Sequence, residues 1–171
     1  MEYLHSLQVP WSVAHSTIFN QSILDEHDIS IEFDVVYLEG VKATGSPNLR
    51  NGRLTRRFEL VAGFRSYPVF QDDEVIDRGK YDWSNLPVVL GKGEQADSYF
   101  ERYYTEWDRQ KLCPDPRFYL VGSSSWIAAE HERGNGFLCG ETKHFLLLGS
   151  DFSVEILARD TDIFELDKVS G

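Results

Sequence analysis

The stretch DISIEFDVVYL, residues 28–38, changes polarity at nearly every step. Ile29, Ile31, Phe33, Val35 and Tyr37 fall on one side, with Ser30, Glu32 and Asp34 on the other. Successive side chains of a strand point to opposite faces, whereas apolar residues of a helix recur every three or four positions. The period of two therefore specifies a half-buried strand. A second stretch, RLTRRFELVAGF at 53–64, alternates in the same way, with Leu54, Phe58, Leu60, Ala62 and Phe64 on its apolar side. The intervening TGSPNLRNG is dense in turn formers, and RNG is the expected point of reversal. The two stretches should pair antiparallel. Their polar sides carry Glu32 and Asp34 against Arg53, Arg57 and Arg65, and cross-strand ion pairs of this kind contribute roughly 0.2–1 kcal/mol each.

One segment has the other period. In EQADSYFERYYTEWDRQK, residues 94–111, Ala96, Tyr99, Phe100, Tyr103 and Trp107 share a single arc at helical spacing. Glu94 and Asp97 stand in the first turn and Arg109 and Lys111 in the last, as the helix dipole favours. Pro114 and Pro116 end the run, since proline can supply no N–H to continue it. The arc is expected to face the core. Tyr104 lies at its edge, beside Asp97, Glu101 and Asp108.

Elsewhere the chain predicts strand ends at 67–70, an exposed acidic loop over 71–80 and a short strand at RFYLV. SSSW is expected to be a polar break, and ERGNGFLCG a small hairpin around its Gly-Asn-Gly reversal. HFLLLGSDFSVEILARD predicts a clear hairpin about residues 149–151, and a second short helix is expected near 16–24. No strand-helix-strand alternation calls for a parallel sheet. The expected fold is α+β, a single domain over 1–171. It is a strongly curved antiparallel sheet, or a partly open β-barrel, packed on one main helix at 94–111.

Composition narrows the function. At 171 residues the chain can bury a core without metal or disulfide staples, and 42% apolar content excludes a disordered chain. No apolar run is long enough to span a membrane as a helix, and the first residues lack the charged start and apolar core of a signal peptide. A cytoplasmic location follows. Cys113 and Cys139 are expected to be reduced thiols, with no C-x-x-C pattern between them. Twenty-eight acidic against 17 basic side chains leave a net charge of −11, which repels nucleic acid and anionic lipid and attracts basic partners.

Chemistry-bearing motifs are sparse. GKGEQAD lacks the spacing of a phosphate-binding loop. The clusters DEHD (25–28) and EHE (130–132) read as solvated charge, and Glu141 with His144 offers no ligand geometry, because i and i+3 face opposite ways on the strand expected there. GSSSW supplies Ser123, Ser124 and Ser125, with His131 and His144 elsewhere, but without the elbow spacing of a catalytic serine. No catalytic residue, metal or cofactor is assigned.

The function expected from these features is a non-enzymatic acidic binding domain, an inhibitor or immunity-type partner of a basic enzyme or toxin that acts by occlusion. In general character the chain is similar to the small acidic immunity proteins that neutralise secreted bacterial toxins, and no residue is carried over from them. The candidate partner-binding residues are Asp72, Asp73, Glu74, Asp77, Glu101 and Tyr104. The alternative is a small-ligand-binding β-barrel or small enzyme with its pocket lidded by Trp83 and Trp126.

Overall fold

A computed structural model describes residues 1–14, 19–24, 27–68, 80–86, 95–138, 140–149, 152–159 and 164–166. Its elements are β1 (Glu2–Ser6), β2 (Trp11–Val13), β3 (Asn20–Ile23), β4 (Ile29–Val41), β5 (Pro47–Pro68), β6 (Tyr81–Asp82), α1 (Ala96–Gln110), β7 (Phe118–Gly122), α2 (Ser125–Glu132), β8 (Thr142–Leu148), β9 (Phe152–Arg159) and β10 (Phe164–Leu166). The strands form one ladder in the order β2-β4-β5-β9-β8-β7-β1-β6, with β3 added to β4 and β10 to β5. Among the described residues every pairing is antiparallel except that of β1 with β6. The fold is α+β, dominated by an antiparallel sheet. Among the described residues the ladder does not close on itself; β2 and β6 are its two ends. Among the described residues no helix is long and apolar enough to cross a membrane.

The two alternating stretches pair as β4 and β5, from Ile29 opposite Phe58 to Val41 opposite Pro47. The expected ion pairs form where Arg53 reaches Asp34 at 2.8 Å and Glu32 at 3.5 Å. The reversal is elsewhere than expected. It falls at 42–46, where Lys42 N–H donates to Ser46 O at 2.9 Å and Gly45 adopts a positive φ of 82°. Arg50, Asn51 and Gly52 lie inside the ladder, opposite Tyr37, Val36 and Val35. Gly52 serves packing rather than turning, because a Cβ there would stand 2.9 Å from the Tyr37 ring.

Further along β5 the alternation breaks. Register shifts between Glu59 and Gly63, and Leu60 takes a positive φ of 49°. Over this stretch β5 advances four positions while β9 advances two, so two extra residues bulge out of the ladder around Leu60. Leu60, expected inside with Leu54 and Phe58, is therefore 37% exposed. The position between those two buried residues is Arg56, itself buried, with its guanidinium 4.9–5.2 Å from the rings of Phe58, Phe118 and Phe145. Three aromatic faces offset part of the cost of taking that charge out of water.

β7, β8 and β9 are apolar on both sides, and the reason is two packed layers. Phe118, Phe145, Leu147, Val154 and Ile156 join Trp11, Phe33 and Leu54 in the main core. Tyr119, Val121 and Leu146 face the other way, into a second core with Leu4, Tyr81 and Leu86.

Two expected elements are corrected. The segment 20–23 is the exposed strand β3 rather than helix, while 15–18 lie outside the described residues. Ser125–Glu132 form α2 where a polar break was expected, and the described residues after it, 133–138, run in turns rather than in the arms of a hairpin. Ser124 caps that helix by accepting the Ile127 N–H at 3.1 Å, which satisfies one of its unbonded first-turn donors.

Candidate functional site

α1 forms where its spacing and end charges place it. Asp97 stands in the first turn and Arg109 in the last, and Lys111, left-handed at φ 59°, donates its N–H to Trp107 O. Its ring stripe divides in two. Tyr103 and Trp107 are buried with Cys113 against Leu38, but Tyr99 is only half-buried, Phe100 is 47% exposed and Ala96 is exposed. The expectation that all five residues face the core holds for the later turns alone. α1 meets the sheet chiefly at β4, and the small cluster of buried residues lies under its later turns.

The outer rings are ordered by each other. Phe100 stacks on Tyr104 with centroids 6.3 Å apart, and Tyr104 stacks on Trp107 at 6.4 Å. Glu101 and Asp97 are exposed beside them. Glu106 is held by Arg109 and Gln110, and Asp108 by Lys111 at 2.7 Å, so those two carboxylates are already engaged. Glu101 is exposed, and Tyr104 beside it is half-buried, packed on the cluster of Tyr103, Trp107 and Cys113 at the foot of this ridge. Asp72, Asp73, Glu74 and Asp77 lie outside the described residues. Beneath the ridge the Tyr103 hydroxyl sits 3.0 Å from Cys113 Sγ, and burial pushes that free thiol up to about 12.

A second constellation is buried where β1, β6, β8, β9 and α2 meet. Glu2 takes the N–H of Ser125 at 2.5 Å and its hydroxyl at 2.9 Å, placing a carboxylate at the positive end of α2. The Lys80 ammonium bridges two acids, 3.2 Å from Glu2 and 3.4 Å from Glu155. Tyr81 donates its hydroxyl to the same Glu155 oxygen. Burial works against a charged Glu155, but the facing His144 imidazole, the Tyr81 hydroxyl and the Lys80 charge outweigh it and hold the carboxyl at about 2.

His144 completes the chain. Its Nδ1 lies 2.9 Å from Ser124 Oγ, and its Nε2, 3.7 Å from Glu155 Oε1, finds no hydrogen-bond partner. One tautomer fits all these groups. With the proton on Nε2, facing the ionised carboxylate, Nδ1 accepts from the Ser124 hydroxyl while Ser124 Oγ accepts from Ile127 N–H.

The two tryptophans proposed as lids flank this cluster. Trp126, buried on α2 rather than in a loop, meets the His144 ring edge-on at 5.4 Å, under the Arg65 guanidinium at 3.8 Å. It rests on Gly63, where a Cβ would stand 2.5 Å from the ring. Trp83 packs on Tyr81 and Tyr119 at the other end. Glu141 turns instead to Arg159, away from His144's partners. Among the described residues no group of three His, Cys, Asp or Glu side chains converges as a metal site.

Sequence reasoning noted Ser124 and His144 as residue types but did not join them, and it missed Glu2, Lys80, Tyr81 and Glu155. The one visible signal was a carboxylate at position 155 inside the apolar run SVEIL. No family model, curated protein or solved structure matches the chain. Both sites are therefore read from their chemistry alone.

Proposed function

We propose that the protein binds a basic protein partner through the acidic, ring-bearing ridge of α1 and acts by covering that partner's functional surface. The observation that carries this reading is the Phe100–Tyr104 stack, left partly exposed beside the exposed carboxylates of Glu101 and Asp97. Aromatic faces flanked by carboxylates suit arginine and lysine side chains, which gain both ring and ion-pair contacts. A net charge of −11 draws such a partner in. Asp72, Asp73, Glu74 and Asp77 would extend the same acidic surface, on their sequence alone.

The same proposal keeps a strongly curved, partly open barrel as the frame behind α1. Supporting it, the Phe118 ring of β7 lies 6.2 Å from Trp11 and 6.4 Å from Phe33, although β7 stands far from β2 and β4 in the ladder.

The test is capture from a lysate with the wild-type protein, followed by binding kinetics on what is captured. A basic partner is expected. Its association should slow several-fold as ionic strength rises from about 0.01 M to about 0.15 M, which shortens the screening length from about 30 Å to about 8 Å. Glu101→Lys should slow association further, while Tyr104→Ala should chiefly speed dissociation. Unchanged binding in both variants would sink the proposal.

A further inference from the structure

Beyond partner binding, and independently of α1, the structure assigns Ser124 as a nucleophile toward acyl groups, with His144 as its general base and Glu155 as the residue that positions His144. Four observations converge on it. The hydroxyl is 2.9 Å from His144 Nδ1, which accepts its proton in the tautomer that carries hydrogen on Nε2. The far nitrogen of that imidazole is buried, without a hydrogen-bond partner, and aimed at an ionised carboxylate 3.7 Å away. Bonds of this kind are commonly long before substrate arrives and shorten as the imidazole becomes charged. Glu155 cannot swing away, because Tyr81 and Lys80 hold it from other directions.

The fourth observation is the mounting of the serine. β7 ends at Gly122, Ser123 turns the chain with a positive φ of 52°, and α2 begins at once. A sharp strand-to-helix turn projects a hydroxyl outward and places helix N–H groups beside it. Here the Ile127 N–H points at Ser124 Oγ from 3.1 Å and fixes the hydroxyl at the positive end of α2. Ser124 is half-buried between the exposed Ser123 and Ser125, whereas His144 and Glu155 are buried, so the serine is the least buried member of the relay.

The step balances without a further reagent. Ser124 Oγ attacks the acyl carbon of an ester, its proton passes to His144 Nδ1, and the leaving alkoxide takes that proton as the ester C–O bond breaks. Water then repeats the sequence and releases the acid, with Ser124 regenerated.

A fluorophosphonate probe tests this on the intact chain, with peptide mapping of the adduct. A single adduct on Ser124 is expected in the folded protein, and none after heat unfolding. Ser123→Gly, which keeps the positive φ, should label at the wild-type rate. His144→Gln should label about 100-fold more slowly, the usual contribution of a general base. Glu155→Gln should lose part of the rate and Glu155→Asp recover some of it. No adduct on Ser124, an adduct on another serine, or equal labelling of the unfolded chain would each overturn the assignment. So would a folded His144→Gln variant that labels as fast as wild type. Should that variant not fold, the comparison of folded with unfolded wild type decides.

Discussion

Glu155 is the residue on which the buried cluster turns, and its effect on stability has a definite sign. Its carboxyl is held at about 2 in the folded protein against 4.5 for an ordinary glutamate. A depressed acid contributes its full stabilisation above the unfolded value and loses it as pH falls through the folded one. The contribution, about 3 kcal/mol from the size of the shift, should therefore disappear between pH 4.5 and about 2. Glu155→Gln should flatten the acid limb of stability in this window, measured by urea midpoints. It should not abolish that limb, because Arg57 also holds Asp28 below its ordinary range. An unchanged acid limb would show that Glu155 carries no such charge. At this scale the sequence was half legible. Ser124 and His144 were visible as chemical types, but 20 positions separate them. Glu2 and Lys80 carry no local signal, because only the pairing of β1 with β6 and β7 brings the chain's start to α2.

At the scale of the element, α1 separates packing from surface along one face. Trp107 is 3% exposed and should cost roughly 3–5 kcal/mol when cut to alanine, the usual loss for a fully packed large ring. Phe100, at 47% exposure, should cost about 1 kcal/mol or less. Melting curves of the two variants distinguish this arrangement from a uniformly buried stripe, in which both would fall together. Elements with strong periodicity were legible, namely β4, α1 and β5 from residue 53 to Leu60, and the apolar runs of β8 and β9 about a turn were legible as a hairpin. α2 was not, because only Trp126 of its eight residues is buried and so no apolar stripe marks it. Its one readable sign was Ser124 ahead of a run of helix formers, a cap signal that three consecutive serines made easy to take for a loop. The turn after β4 was misplaced for a related reason. Asn-Gly at 51–52 is a strong reversal signal, yet the glycine is there to make room for Tyr37.

For the whole molecule, the decisive feature is the length of β5. Its first half pairs with β4 and its second half with β9, and both halves belong to one unbroken 22-residue strand kinked at Leu60. The halves of the ladder consequently share a backbone instead of a linker. β5 is the partner of both β4 and β9, so its release opens both, and solvent should reach the amides of β4 and β9 through the same rare opening. Hydrogen exchange in the two strands should give matching opening free energies, and a substitution at Phe58 should lower both by equal amounts. Different values would mean that the kink is a hinge between separately melting units. A continuous strand also carries force. Tension applied to the β4 side would be borne by covalent bonds through the kink before any hydrogen bond on the β9 side gave way, so the molecule should rupture as one body under load.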